Sequence, residues 1–185
     1  MDDTKVRQFI TLAGNPIAES FTERDDATRC LGAQLLLSET LEYVIKGLGV
    51  TPIVNGVAIT EPDALDYKPS ETAPDKVEML DGLADVAYTM YWNEISFGIP
   101  LEKGFDLVCD NNLEKFVLLS QAWTGNDGPI TRSEWHCDQE IAWPEEVESV
   151  EVVTIDENRY AVGKDGRGKV RKPSSYQSVD LSPLL

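Results

Sequence analysis

Five carboxylates have the spacing best suited to chemistry. Glu39 and Glu42 are three residues apart, and Glu78, Asp81 and Asp85 follow at i, i+3 and i+7. On a helix those intervals stack side chains on one face. Glu39 and Glu42 flank Leu41, while Asp81 and Asp85 bracket Leu83 and Ala84 with Lys76 the only base nearby. Acids bordering an apolar stripe without a cationic partner repel one another, and a bound divalent cation removes the repulsion. Carboxylate oxygens are the ligands that magnesium and manganese prefer. Such acids on two facing helices would hold one or two ions that bind a polyphosphate, neutralise its charge and activate a water. A plainer reading stands beside this one. In a chain with 33 acidic residues, some carboxylates meet at this spacing on solvated helix faces by chance.

The elements that must position these acids are helical by pattern. Val6, Phe9, Ile10 and Ala13 fall at helical spacing over 5–13, and Gly14-Asn15-Pro16 breaks the chain. Ser20 followed by Glu23 reads as a capping box opening a long helix over about 21–47. Leu37, Leu41, Val44, Ile45 and Leu48 form its stripe, and Gly47 and Gly49 stop it. Residues 50–75 hold Pro52, Pro62, Pro69 and Pro74 and read as a long connection with a helical turn near 61–67. Asp75 caps a second long helix over 75–97, with Leu80, Leu83, Ala84, Ala87, Met90 and Tyr91 as its apolar face and Gly98 and Pro100 at its end. A further helix over 101–117 turns Leu101, Phe105, Val108, Cys109, Leu113 and Phe116 inward. The expected fold is therefore mainly α: a helical bundle over 1–117, a small insertion over 118–167 and an extended tail over 168–185. Within the insertion, VEVVTI and RYAVG flank Asp156-Glu157-Asn158 as a β-hairpin.

Composition narrows the function classes. The chain has 185 residues and a formal net charge of −17, a field that repels nucleic-acid backbones. No apolar run approaches the ~20 residues that span a bilayer. The N-terminal MDDTKVRQF lacks the apolar stretch of a secretory signal. Cys30, Cys109 and Cys137 are odd in number and far apart, which reads as reduced thiols in the cytoplasm. A zinc site of these three with His136 would lack both a Cys-x-x-Cys pair and a second histidine. The absence of a nucleophile elbow, a Cys/His pair and a Gly-rich phosphate loop argues against covalent catalysis. Residues 134–157 are strongly acidic, whereas 159–172 carry Arg159, Lys164, Arg167, Lys169, Arg171 and Lys172. Trp123, Trp135 and Trp143 have the rings to stack a base, although packing within the insertion is the simpler expectation.

QLLLSETLEY, EMLDGLADVAYTMYWNEISFGI, CDNNLEKF and GKVRKPSSYQSVDL occur in that order. This order resembles the all-α nucleoside triphosphate pyrophosphohydrolases of the MazG-like group, in particular the phosphoribosyl-ATP-pyrophosphohydrolase-like proteins of phages, over about 22–117 and 168–182. The resemblance implies an α-helical bundle assembled as a homodimer or homotetramer. It implies cleavage of a nucleotide between the α- and β-phosphates, with Mg2+ or Mn2+ as cofactor. The family holds the metal with Glu-Glu-x-x-Glu on one helix and Glu-x-x-Asp on the next. Glu39 and Glu42 match the last two acids of the first motif, and Ser38 stands where its first glutamate is usual. Glu78 and Asp81 satisfy the second motif literally, while the following sequence aligns better with Asp85 as the aspartate and Gly82 at the glutamate position. Glu39, Glu42, Glu78, Asp81 and Asp85 are the implied ligands, with Glu39, Glu42, Asp81 and Asp85 the implied catalytic set. Asn112 and Lys115 resemble the family's segment near the nucleotide, and Arg171, Lys172 and Tyr176 lie in the tail motif. Guanine nucleotides are the substrates expected by analogy with phage relatives, and dUTP or a modified nucleotide comes next. The alternatives are an acidic, non-enzymatic interaction protein and a passive metal-binding bundle. For a phage product, the compartment is the host cytoplasm.

Overall fold

The structure is a computed structural model that describes residues 2–137 and 140–185. Its elements in chain order are α1 (Thr4–Leu12), α2 (Asp26–Glu42), β1 (Ile53–Val54), β2 (Val57–Ala58), α3 (Lys76–Phe97), α4 (Leu101–Leu113), β3 (Val117–Leu118), β4 (Gly128–Pro129), β5 (Val147–Ile155) and β6 (Asn158–Asp165). They form two compact units, one of residues up to Ser20 together with Asp75–Leu185, the other Phe21–Pro74.

The larger unit is organised around an antiparallel sheet of strand order β3-β6-β5-β4. β5 and β6 form the expected hairpin, with Ile155 opposite Asn158. Asp156 and Glu157 make its two-residue turn, both at positive φ, as a turn that follows the strand twist requires. Alternation along the strands gives the sheet two apolar faces. On one, Val150, Val152 and Ala161 are buried under Ile141, Trp123, Trp135 and Trp143. On the other, Val162 packs with Leu12, Ala13 and Phe116, which brings the ends of α1 and α4 onto the sheet. The Phe9 and Phe116 rings meet edge to face at 5.0 Å there.

This arrangement corrects the expectation of a mainly α helical bundle. The fold is mixed α/β, with four α-helices, a two-stranded sheet and a four-stranded sheet among the described residues. The apolar core of this unit lies on the four-stranded sheet, and the segment read as an insertion supplies most of it. α1 packs on α4 as a helical pair, but α3 buries none of its side chains. Of the stripes expected to face inward, Cys109 and Phe116 are buried, whereas Leu37, Leu48, Leu80, Leu83, Tyr91 and Val108 are exposed. Helical periodicity carries no information about what covers an apolar face.

The Phe21–Pro74 unit is built on α2. Its N-cap is Asp25, whose carboxylate accepts from the Thr28 amide at 2.8 Å, in place of the expected Ser20. Hydrogen bonds from the Thr28 hydroxyl and amide hold the Asp25 carboxyl below its ordinary value. The helix continues as a π-helical turn over Tyr43–Gly47. A Cβ at Gly47 would stand 3.1 Å from the Tyr43 ring, so the turn closes tightly there. β1 and β2 follow as a hairpin through Asn55 and Gly56, both at positive φ. The only fully buried side chains of this unit are polar, Gln34 and Ser38. Among the described residues no helix is long and apolar enough to cross a membrane.

Candidate functional site

α3 begins at Asp75, whose carboxylate accepts from the amides of Val77 (2.7 Å) and Glu78 (3.3 Å) and satisfies two of the free N–H groups of the first turn. The carboxylate of Glu78 therefore stands at the positive end of the helix dipole. Glu78, Asp81 and Asp85 lie on one side of α3 and are all exposed. Among the described residues, none of the three makes a side-chain hydrogen bond or ion pair. At 3.6 residues per turn, Leu80 and Leu83 fall on the opposite side of the same helix.

On α2, Glu39 is exposed, and Glu42 accepts from Lys46 Nζ at 3.0 Å across one turn. The Glu42 carboxylate holds the Lys46 ammonium above its ordinary value. Ser38, where the family has a glutamate, is buried and donates to the Leu35 carbonyl at 3.4 Å. Gln34, one turn earlier, is buried as well. That stripe of α2 is thus polar and inward, while Leu35, Leu36 and Leu37 are exposed.

The α3 carboxylates suit a hard divalent cation by donor type, since all are oxygen ligands. Among the described residues, no group of three or more His, Cys, Asp or Glu side chains converges to hold an ion. Glu39 and Glu42 belong to the Phe21–Pro74 unit and the α3 acids to the other.

The structure does bring the end of α4 and the C-terminal tail together. Asn111 is buried and donates through Nδ2 to the Gln177 carbonyl (2.6 Å) and to Glu114 Oε2 (3.2 Å). The Tyr176 hydroxyl donates to Asn111 Oδ1. Burial, together with the Glu114 charge, holds the Tyr176 phenol above its ordinary value. Lys172 Nζ lies 4.8 Å from the centre of the Tyr176 ring. Asn112 and Lys115 are half-buried at the same end of α4, with Lys115 Nζ 5.8 Å from the Phe9 ring centre. Arg171 is engaged elsewhere. Its guanidinium donates to Asp165 Oδ2 at 2.7 and 2.9 Å, and the other Asp165 oxygen accepts from the Arg167 and Lys169 amides. Sequence reasoning named Asn112 and missed Asn111, and nothing in the Asn-Asn pair distinguishes the buried amide from its neighbour.

The three tryptophans pack against the sheet core. Trp143 Nε1 donates to the Trp135 carbonyl at 2.8 Å, and Trp135 Nε1 to the Ile130 carbonyl at 3.3 Å. Cys30, Cys109 and Cys137 are free thiols, and burial pushes the Cys109 thiol up. A cavity of about 330 Å³ lies beside α1 and α4, lined by Lys5, Lys103, Phe105, Asp106 and Cys109 among others. Lys5 donates to Asp106 and Asp110 at 2.7 Å each, so its charge is already matched, and the pair raises its pKa.

Comparison with protein-family models, with curated proteins and with solved structures finds no match to this chain.

Proposed function

We propose that the protein hydrolyses (deoxy)nucleoside triphosphates in the cytoplasm, releasing the monophosphate and pyrophosphate, with Mg2+ or Mn2+ as cofactor. The observation that supports this reading best is the row of exposed, cation-free carboxylates Glu78, Asp81 and Asp85 on α3. It coincides with the position of the second acidic motif in the MazG-like pattern. A bound magnesium or manganese ion would neutralise phosphate charge and lower the pKa of a water. Glu78, Asp81 and Asp85 are its proposed ligands on α3. The resemblance gives Glu39 and Glu42 the remaining ligand positions, and one of these two the role of proton acceptor from water. Lys115 and Lys172 neutralise the leaving pyrophosphate, with Asn112 and Tyr176 beside the substrate. Arg171 enters only if it leaves Asp165. Guanine nucleotides are the proposed substrates, by analogy alone.

Alanine at Asp81, Asp85, Glu39 and Glu42, each alone, tests the assignment. Each variant is expected to lose turnover by about 100-fold or more while keeping wild-type helicity. Unchanged turnover in Asp81→Ala and Asp85→Ala would remove the α3 site. A second reading, an acidic interaction protein without turnover, is favoured by the charge of −17 and by the exposed apolar side chains of α3. It predicts no hydrolysis of any nucleotide.

A further inference from the structure

Asn111 is buried at the end of α4 with its whole amide in use. Nδ2 donates to the Gln177 carbonyl at 2.6 Å and to Glu114 Oε2 at 3.2 Å, and Oδ1 accepts from the Tyr176 hydroxyl. Turning the amide over would set its oxygen against a carbonyl and a carboxylate, so its orientation is fixed. The bond to Gln177 alone would tether the tail. The bond to Tyr176 adds a second effect, because it pins the phenol at its far end while the Tyr176 amide is held by the Pro173 carbonyl at 3.0 Å. Lys172 Nζ lies 4.8 Å from the centre of the ring fixed in this way. The backbone on either side of Lys172 is fixed too, by the Arg171 amide on the Gly163 carbonyl (2.9 Å) and the Ser174 amide on the Ala142 carbonyl (2.8 Å). What remains to be set is the course of the Lys172 side chain, and the Tyr176 ring sets it.

Lys172 differs from two other bases of the same segment. Lys164 is paired with Glu151 and Arg171 with Asp165. Among the described residues Lys172 has no carboxylate partner, in a chain of net charge −17. An ammonium group against a ring keeps its charge for another anion. Lysine is among the side chains with most rotamer freedom, so holding it in place beforehand removes an entropy cost from anion binding. Lys115, four residues beyond Asn111, brings a second ammonium group to the same end of α4.

We propose that Asn111 is a positioning residue for phosphate: through Tyr176 it holds Lys172 ready for the pyrophosphate group, so that docking of the tail and binding of that group are one linked equilibrium. The identity of the anion rests on the hydrolase reading above.

Inorganic pyrophosphate with magnesium is the probe, used on the full chain, and the readouts are its calorimetric affinity and hydrogen exchange at the Tyr176 amide. An anion that binds only the docked tail slows exchange by a factor of 1 + [L]/Kd, so pyrophosphate at about 100 times its Kd is expected to slow it about 100-fold. Lys172→Ala is expected to bind pyrophosphate about tenfold more weakly and to lose the slowing. Asn111→Ala is expected to weaken binding to a similar extent. The double variant is expected to bind no more weakly than Lys172→Ala alone, because Asn111 acts through Lys172. Tyr176→Phe, which keeps the ring and loses its anchor, is expected to match Asn111→Ala and serves if that variant does not fold. A merely structural anchor would leave pyrophosphate affinity unchanged in both single variants of the anchor. That result, exchange within threefold of the free protein at saturating pyrophosphate, or no binding of pyrophosphate at millimolar concentration would each overturn the proposal. Slowed exchange in a protein that hydrolyses no nucleotide would refute the hydrolase reading alone. Nucleotide hydrolysis with tail exchange unmoved by pyrophosphate would refute this proposal alone.

Discussion

Replacing Asn111 by alanine removes a buried side chain that ties the C-terminal tail to the end of α4. Three bonds go with it: those to the Gln177 carbonyl, to Glu114 and from the Tyr176 hydroxyl. Glu114 is exposed and regains water, and so does the Gln177 carbonyl. Tyr176 is half-buried, and its hydroxyl is left without its acceptor. A net loss of about 0.5–1.5 kcal/mol for each of the two rehydrated bonds and 1–3 kcal/mol for the hydroxyl sums to about 2–6 kcal/mol, and the lower end, about 2 kcal/mol, applies because the half-buried Tyr176 hydroxyl regains water once the tail lifts. At 1.4 kcal/mol per factor of ten, the undocked tail becomes about 30-fold more populated. Hydrogen exchange reads this directly, because the Tyr176 amide is protected by the Pro173 carbonyl at 3.0 Å. Its exchange is expected to accelerate about 30-fold in Asn111→Ala and to stay at the wild-type rate in Asn112→Ala. Combined with Tyr176→Phe, the two losses are expected to be sub-additive by about 1 kcal/mol. Exchange within threefold of wild type, or strict additivity, would refute the reasoning that Asn111 anchors the tail.

Two further perturbations follow from particular contacts. A Cβ at Gly163 would lie 2.4 Å from the Trp143 ring, which is itself fixed by its bond to the Trp135 carbonyl, so Gly163→Ala is expected to destabilise the sheet by about 1–3 kcal/mol in urea unfolding. The Tyr176 phenol is held above its ordinary value of 10.0 by burial, so the folded state binds its proton more tightly than the unfolded state. The stabilisation is therefore complete below pH 10 and disappears as pH rises through the raised value. Tyrosinate absorbance should show one late-titrating phenol, lost in Tyr176→Phe.

The parts of the fold legible in the sequence are those written in local chemistry. Asp75 and Gly98 bound α3 as expected, the carboxylate by capping and the glycine by adopting the left-handed conformation that ends the helix. The β5–β6 hairpin shows in the apolar strands on either side of Asp156-Glu157. The β1–β2 hairpin was equally legible, because Asn55-Gly56 between Ile53-Val54 and Val57-Ala58 is a strong two-residue turn signal, but the prolines around it drew the segment into a loop. β3 and β4 are two residues each and exist only through their pairing with β6 and β5, so no local pattern announces them. Lys46 on Glu42 follows from i, i+4 spacing and was overlooked. Asn111 was not legible, because its role depends on a tail 65 residues away.

The central claim is metal-dependent cleavage between the α- and β-phosphates. The most direct measurement is incubation of the purified protein with magnesium and each of the eight common ribo- and deoxyribonucleoside triphosphates, with products separated by ion exchange. The account predicts monophosphate and pyrophosphate in equal amounts, abolished by a chelator, with guanine nucleotides consumed fastest. Diphosphate and phosphate, or no turnover with either magnesium or manganese, would contradict it.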